Sequence, residues 1–253
     1  MSRNFELLQQ IGKEQEIFSP STPSMEPEIV EVPESVEAPA TSLDNASTDE
    51  VRSLVHRVFL LAAGPAPHTV VFAGSEPGSG CSWICARTAE ALARQVSGSV
   101  CLVDANLRAP GLHGQFGIPN HHGLSDALMH SEDPIGTFVT GLSPRNLSIV
   151  SCGSVPEGAH GLLTSSRMRS RLNELRMMFD YVLIDVSATN SSKEAIVLGS
   201  LADGVVLVLK ANSSRKETAR NAVQEFQAAK VQVLGAVLNQ RTFPIPEAIY
   251  KKL

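Results

Sequence analysis

The sequence has 253 residues, of which 43% are hydrophobic and 5% aromatic, so the chain can bury a full and mostly aliphatic core. Its formal net charge is -5, but the acidity is concentrated in residues 1–48, which carry nine acidic and two basic side chains. Neither this part nor the remainder has the strong basic excess of a nucleic-acid binder, so we expect no nucleic-acid partner.

The first 48 residues are predicted to lie outside the folded domain. Apolar residues at helical spacing predict a short N-terminal helix at 1–18. Residues 19–48 contain five prolines, five glutamates and no lysine or arginine. Such a stretch buries too little apolar surface to offset its ordering entropy, so it is predicted to be a disordered acidic linker.

The chain shows no sign of a membrane span or of export. No apolar run reaches the roughly 18–20 residues that a spanning helix needs, and the N-terminus lacks the layout of a signal peptide. The four cysteines form no Cys-x-x-Cys pair, and no histidine cluster has metal-ligand spacing. We therefore expect reduced thiols and a cytoplasmic protein.

Strand and helix patterns alternate from residue 49 onwards. An amphipathic helix is predicted at 49–62, and continuous apolar strands such as 205–209 suit a sheet that is covered on both faces. The alternation predicts an α/β domain at 49–241 with a doubly wound, mainly parallel sheet, followed by a tail at 242–253. Strands are predicted at 68–73, 100–104, 147–150, 181–185, 204–209 and 231–238, and further helices at 83–96, 165–178, 192–201 and 215–228.

A glycine-rich loop follows the first core strand and precedes a helix. Gly78 and Gly80 allow successive backbone N–H groups to converge on one anion. The motif G-x-x-x-x-G-K-[ST] would place a Mg²⁺-binding hydroxyl at Ser82, but Cys81 stands where its lysine belongs. On the loop alone, an ordinary turn between strand and helix remains an alternative. The residues predicted to contact a nucleotide here are Pro77, Gly78, Ser79, Gly80, Cys81, Ser82 and Trp83.

Two aspartates end apolar strands that follow this loop. Asp104 is the last residue of the second predicted strand, and Asp185 is the last residue of the fourth. A single terminal aspartate is usually a turn cap. Two of them, after a glycine-rich loop, indicate a Mg²⁺-nucleotide site, because ligands of such sheets bind at the carboxyl ends of the strands.

The chain resembles the bacterial tyrosine kinases of the capsular exopolysaccharide family, which are relatives of the MinD/ParA group of P-loop ATPases. The resemblance covers roughly residues 49–240 and implies a P-loop NTPase fold of the MinD-like type with helices on both faces of the sheet. The stretches that carry it include AGSEPGSGCS (73–82), CLVDANLRAPGLHGQFG (101–117), FDYVLIDVSA (179–188) and LADGVVLVLKANSSRKETARNAVQEF (201–226).

The resemblance implies specific roles for several residues. It makes 78–82 the Walker A cradle, Asp104 the Walker A′ acid and Asp185 the Walker B acid, and it places Asn239 where relatives contact adenine. Asp104 and Asn106 then stand at the catalytic positions. Ser82, Asp104 and Asp185 stand at the metal positions, and the implied cofactor is ATP or ADP with Mg²⁺.

The sequence departs from the family pattern at positions that carry charge. Cys81 replaces the cradle lysine and Asn106 replaces the second acid of a D-x-D motif. The C-terminal part holds one tyrosine, Tyr250, instead of a cluster. Because phosphoryl transfer depends on charge stabilisation, these changes predict a degenerate kinase that keeps weak nucleotide binding and loses most catalysis.

The family also implies partners and leaves two alternative functions open. Its members act with a transmembrane polysaccharide co-polymerase that controls chain length and export, which implies a location at the inner membrane through that partner. A homo-oligomer is possible, although only half of the family's E-x-x-R-x-x-R assembly pattern precedes the first core strand. The alternatives are an active ATP-dependent tyrosine autokinase and a MinD/ParA-like nucleotide switch.

Overall fold

The fold is built on a seven-stranded sheet with the strand order β3-β4-β2-β5-β1-β6-β7. A computed structural model of the chain describes residues 45–61, 65–130, 132–142, 146–156, 159–189, 193–214 and 216–240. The predicted N-terminal helix, most of the predicted linker and the predicted C-terminal tail lie outside these residues. The strands are β1 (Thr69–Gly74), β2 (Val100–Asp104), β3 (Thr140–Leu142), β4 (Leu147–Val150), β5 (Tyr181–Val186), β6 (Gly204–Lys210) and β7 (Val233–Asn239).

The sheet is parallel except at one edge. The six strands from β4 to β7 in the sheet order pair in parallel, and only β3 runs antiparallel to its neighbour β4. The predicted doubly wound, mainly parallel sheet is therefore confirmed. β3 was not predicted, because three residues are too few to show an alternating pattern.

Helices cover both faces of the sheet. The predicted helix at 49–62 begins earlier, at Asn45, and gives way to a π-helical turn at His56–Leu60. Two short helices at 112–116 and 124–129 were not predicted, because five or six residues do not display a helical period. The α-helices are α1 (Asn45–Val55), α2 (Cys81–Gln95), α3 (Leu112–Phe116), α4 (Leu124–Met129), α5 (Ser166–Met178), α6 (Glu194–Leu201) and α7 (Lys216–Ala228).

Alternate residues of the central strands belong to two hydrophobic cores, one on each face of the sheet. Phe72, Leu102 and Leu183 pack with α1, α2 and α3 on one face. Val103 and Ile184, the next residues along these two strands, pack with α4 to α7 on the other face. Both faces of the central strands are therefore buried, which explains their continuous apolar sequence.

A buried arginine joins α5 to the end of α4. The side chain of Arg171 is 4% exposed, and its guanidinium donates to the carbonyls of Ala127 at 2.9 Å and His130 at 2.7 Å. It also contacts Glu174 at 3.0 Å. Arg171 therefore satisfies carbonyls that the last turn of a helix leaves without intrahelical partners.

Arg171→Ala is expected to lower the free energy of unfolding by about 2–4 kcal/mol, because it leaves buried carbonyls unsatisfied. Arg169→Ala, on the exposed face of the same helix, is the matched control and should change stability by less than about 0.5 kcal/mol. Urea unfolding followed by circular dichroism measures both, and equal losses in the two variants would contradict the structural role of Arg171.

Candidate functional site

The glycine-rich loop has the backbone conformation of an anion cradle. β1 ends at Gly74, and α2 begins at Cys81. Gly78 and Gly80 have φ angles of 77° and 79°, in the left-handed region that favours glycine. Because the first amides of a helix have no intrahelical partner, the N-terminus of α2 offers N–H donors and a positive dipole end to an anion at this loop.

The two strand-end aspartates are neighbours in the sheet. Asp104 and Asp185 are register partners on β2 and β5, which are adjacent parallel strands about 4.8 Å apart. Asp185 is also level with Phe72 on β1, the strand that leads into the glycine-rich loop. The fold therefore brings both carboxyl groups and the loop to the same edge of the sheet, as the sequence predicted.

Asp104 is buried but well supported by backbone amides. Its Oδ1 accepts the N–H of Asn106 at 3.2 Å, and its Oδ2 accepts those of Gly111 at 3.2 Å and Leu112 at 3.1 Å. Burial raises the pKa of this carboxyl group, and the three N–H donors partly offset that rise. These bonds fix the orientation of the buried Asp104 carboxyl group.

Asp185 lacks such support. Its side chain is 0% exposed, and neither of its oxygens meets a donor in hydrogen-bonding geometry within the described part of the chain. Burial and the charge of Asp104 raise the pKa of Asp185 to about 8, although the nearby Ser82 hydroxyl and Cys81 thiol act in the opposite direction. A buried carboxyl group without partners is costly unless a ligand satisfies it.

Cys81 is a neutral residue at the lysine position. Its side chain is buried at the start of α2, beside Asp185. Burial, the Asp185 charge and the neighbouring Cys85 raise the pKa of the Cys81 thiol well above its usual range. The positive end of the helix does not overcome these effects, so Cys81 is an uncharged thiol that cannot neutralise a phosphate.

All four cysteines are buried as free thiols. Burial raises the pKa of the Cys152 thiol to about 12 and that of the Cys101 thiol further. We expect no rapid reaction of the native protein with an aromatic disulfide reagent at pH 8, and reaction of four thiols after unfolding in guanidinium. A Ser97→Cys variant, which adds a thiol at an exposed position, should react at once, whereas rapid labelling of the native wild type would contradict this burial.

Asn106 is part of the turn that follows β2. Its side-chain oxygen accepts the N–H of Ala109 at 3.3 Å, and its backbone N–H donates to Asp104. The side chain is half-buried. It acts here as a turn cap next to the carboxyl pair, and as an amide it brings no negative charge to the predicted catalytic position.

The end of β7 holds the outer side of the glycine-rich loop. Asn239 donates from Nδ2 to the carbonyl of Ser79 at 2.9 Å, and Gln240 donates from Nε2 to the carbonyl of Gly78 at 3.3 Å. A Cβ atom on Gly80 would collide with the Asn239 amide. Asn239 was predicted to contact adenine, and the structure gives its amide a contact with the loop; Gln240 was not predicted because no motif marks it.

A groove of about 750 Å³ opens beside this end of β7. α1, the start of α2 and β7 form its walls. Trp83 and Asn239, both predicted to contact nucleotide, line it together with Leu54 and Val237. The groove has the mixed apolar and amide lining that suits a flat aromatic base.

Two polar networks near the site were not predicted. Ser187, just after β5, donates to Glu194 at 2.7 Å, and Glu194 pairs with Arg108 at 3.3 Å. On the other side, Ser214 donates to Glu76 of the glycine-rich loop at 2.7 Å. Each network joins residues that are far apart in sequence, so no local spacing could have indicated it.

Neither a metal-binding cluster of side chains nor a membrane-spanning helix is found among the described residues. No group of three or more histidine, cysteine, aspartate or glutamate side chains there could hold a metal ion by itself. No helix among the same residues is both long and apolar enough to cross a membrane.

The chain is similar in sequence to bacterial tyrosine-protein kinases, and no protein-family model matches it. It is 27% identical to the tyrosine-protein kinase YwqD of Bacillus subtilis over 79% of this chain and 83% of YwqD. It is 25% identical to the tyrosine-protein kinase etk of Escherichia coli K12 over 79% of this chain, but it spans only 28% of that protein's length. The predicted resemblance is confirmed by these relatives.

Comparisons of structure agree with the fold. The chimerical protein CapA2B2 matches with a TM-score of 0.72 and 25% identity over 77% of this chain and 85% of the other. The kinase domain of the Escherichia coli tyrosine kinase ETK has a TM-score of 0.70 at 22% identity over 84% of this chain and 85% of that domain. A ParA family ATPase from Chlorobium tepidum has a TM-score of 0.56 at 20% identity, over 69% and 75% of the two chains. The last two show only that this chain shares its fold with that kinase domain and with that ATPase.

Proposed function

We propose that this chain, whose relatives are bacterial tyrosine-protein kinases, binds a Mg²⁺-nucleotide but transfers phosphate poorly, and that it regulates exopolysaccharide assembly. The observation that carries the proposal is the combination of an intact amide cradle with a buried, uncharged thiol at the lysine position. The cradle supports binding, and the missing charge weakens catalysis.

The residues at the site fit a Mg²⁺-nucleotide. The oxygens of the buried Asp185 carboxyl group meet no donor in hydrogen-bonding geometry among the described residues, so a bound cation would satisfy them. Ser82 supplies a hydroxyl next to this group. Asp104, oriented by three backbone amides, would hold the same ion or its water. When bound, Mg²⁺ would neutralise phosphate charge, while Trp83 and Asn239 would contact the base in the groove beside β7.

The missing lysine determines how far the chemistry can proceed. Phosphoryl transfer relies on positioning and on charges aimed at the transferring group, and removal of one such charge costs on the order of 10²–10³ in rate. Asn106 stands where the family has an acid, so a second aid to proton transfer or metal binding is weakened as well. The protein would act through its nucleotide-bound state more than through turnover.

The regulatory part of the proposal rests on the family resemblance. A transmembrane polysaccharide co-polymerase is the proposed partner, and it would bring this cytoplasmic protein to the inner membrane. Co-expression of the full chain with such a co-polymerase tests this contact. Retention of the chain on membranes only when the co-polymerase is present would support the partner, and equal distribution with and without it would exclude it.

Isothermal calorimetry of the full chain with ADP tests the nucleotide proposal. We expect binding with a dissociation constant in the high micromolar to millimolar range and a loss of affinity when EDTA removes Mg²⁺. A Gly80→Ala variant should not bind, because its Cβ would displace Asn239 and strain the loop. Gly114→Ala, at an exposed glycine with open space around it, is the matched control. Absence of binding by the wild type would refute the proposal.

A further inference from the structure

The loop that follows β2 is folded tightly around Asp104 and carries Arg108 at its middle. Asp104 accepts the N–H of Asn106, which precedes Arg108, and the N–H groups of Gly111 and Leu112, which follow it. Because these bonds lie on both sides of Arg108 in the sequence, they fix its backbone beside the carboxyl group that would hold Mg²⁺ or its water.

The side chain of Arg108 extends from this loop to the segment after β5. Its Nη2 atom is 3.3 Å from Oε1 of Glu194. The other carboxylate oxygen of Glu194 accepts the hydroxyl of Ser187 at 2.7 Å, two residues beyond Asp185. The guanidinium is therefore attached, through one buried carboxylate, to the chain that leaves the carboxyl end of β5.

The strand order gives the direction of this side chain. β5 lies between β2 and β1, so a side chain that reaches from the β2 loop to the segment after β5 extends toward the strand that leads into the glycine-rich loop. In that segment, Thr189 donates its N–H to the carbonyl of Gly74 at 2.9 Å, at the end of β1. The Arg108 guanidinium thus lies at the edge of the sheet where ligands of such folds bind.

The pair with Glu194 leaves most of the guanidinium available to a ligand. The side chain of Arg108 is 43% exposed, whereas that of Glu194 is 6% exposed. A guanidinium has five N–H donors, and within the described ranges only Nη2 of Arg108 has an acceptor. A buried carboxylate that holds a solvent-facing arginine orients it in advance for a ligand, and phosphate oxygens match the fork of its donors.

The third phosphate of a nucleotide is the group that most needs such a charge here. The lysine of a P-loop reaches the β- and γ-phosphates, and Cys81 offers an uncharged thiol instead. Arg108 is a basic side chain at this edge that a buried partner holds in place. Lys193, which directly precedes α6, is exposed and is the alternative source of charge.

We propose that the Arg108 guanidinium binds the third phosphate of a nucleoside triphosphate and supplies there part of the positive charge that Cys81 lacks. This inference rests on the proposed nucleotide binding and deepens it. The chain would bind Mg-ATP more tightly than Mg-ADP, because ADP has no third phosphate for Arg108 to contact. A regulator with this contact would respond to which of the two nucleotides is present.

Equilibrium dialysis of the full chain against radiolabelled Mg-ATP and Mg-ADP, with chromatography to verify that the nucleotide is intact, tests the proposal. The wild type should bind ATP more tightly than ADP. Arg108→Gln should lower the affinity for ATP about tenfold or more, as expected for one hydrogen-bonded charge, and leave the affinity for ADP within about twofold. Arg94→Gln, at an exposed position on α2, removes the same charge and should bind both nucleotides as the wild type does.

The other outcomes each decide against the proposal. An Arg108→Gln variant that loses affinity equally for both nucleotides, or for neither, would overturn it and leave the proposed function standing. A selective loss of ATP binding in Lys193→Gln instead of Arg108→Gln would overturn it by assigning the contact to that lysine. Failure of the wild type to bind either nucleotide would defeat both the inference and the proposed function.

Phosphorus NMR examines the contact itself. The full chain is added to Mg-ATP, and the change in the γ-phosphorus signal is divided by the change in the α-phosphorus signal, a ratio that does not depend on how much ATP is bound. The ratio should be larger for the wild type than for Arg108→Gln, since only the wild type places a guanidinium on the third phosphate. The same ratio in both proteins would refute the contact.

Discussion

Cys81→Lys is expected to raise the rate of phosphoryl transfer from Mg-ATP by about 10²–10³-fold over the wild type. The first turn of α2 already positions residue 81 beside Asp185, so a lysine there would extend toward the phosphates and supply the charge that the thiol lacks. The measurement is label transfer from [γ-³²P]ATP to protein or water by the purified full chain. Tyr250→Phe in the same background identifies label on that tyrosine.

Two further variants show whether charge is the cause. Cys81→Ala removes the thiol without adding charge and should stay at the wild-type rate. Cys81→Lys combined with Asn106→Asp should be faster than Cys81→Lys alone, because it restores an acid next to Asp104. Equal rates for Cys81→Lys, Cys81→Ala and the wild type, in folded proteins, would show that the lysine position does not limit the reaction.

Asp185→Asn is expected to stabilise the protein in the absence of Mg²⁺ and to remove the part of the pH dependence of stability that Asp185 causes. The pKa of Asp185 is raised to about 8 in the folded state, so the folded protein holds a proton there that the unfolded chain has released. The free energy of unfolding should therefore fall as pH rises from about 5 to about 8, by at most about 1.4 kcal/mol per pH unit for this group. An asparagine stays neutral throughout and avoids the loss.

Urea unfolding in EDTA at several pH values between 5 and 9 measures this effect. Asp133→Asn, at an exposed position, is the matched control and should follow the wild-type curve. The same Asp185→Asn variant should lose the Mg²⁺ dependence of nucleotide binding, because the ion loses a carboxylate. A wild-type stability that rises between pH 5 and pH 8 to the same extent as that of Asp185→Asn would contradict the unpartnered, buried carboxyl group.

The sequence predicted most of the sheet because the central strands are buried on both faces. The strands predicted at 100–104 and 147–150 match β2 and β4 at both ends, and the mainly parallel pairing follows from the alternation of strands and helices along the chain. Short elements such as β3 and α3 were not predicted, because they have too few residues to show a periodic hydrophobic pattern and depend on tertiary contacts. The start of α1 at Asn45 lies within the stretch that its proline-rich composition assigned to the linker.

The candidate site was predictable where local motifs mark it and unpredictable where the fold assembles it. Gly78, Gly80 and the two strand-end aspartates are marked by their spacing, and the structure places them at one edge of the sheet. The contact of Gln240 with the loop and the pairing of Arg108 with Glu194 depend on how distant segments pack. The environment of Cys81 was also hidden, because burial beside Asp185 determines the state of its thiol.

The most direct test of the account is the fate of bound ATP. The full chain is dialysed to equilibrium against Mg²⁺ and ATP that carries ³²P at the γ-position and ³H in the base, at a protein concentration near the expected dissociation constant, and the label retained on the protein side of the membrane is measured. The account predicts that both labels are retained in equal proportion, as intact ATP, with no covalent label on the protein. Failure to retain either label, or ³²P attached to tyrosine in the wild type, would contradict an amide cradle that binds nucleotide without its catalytic lysine.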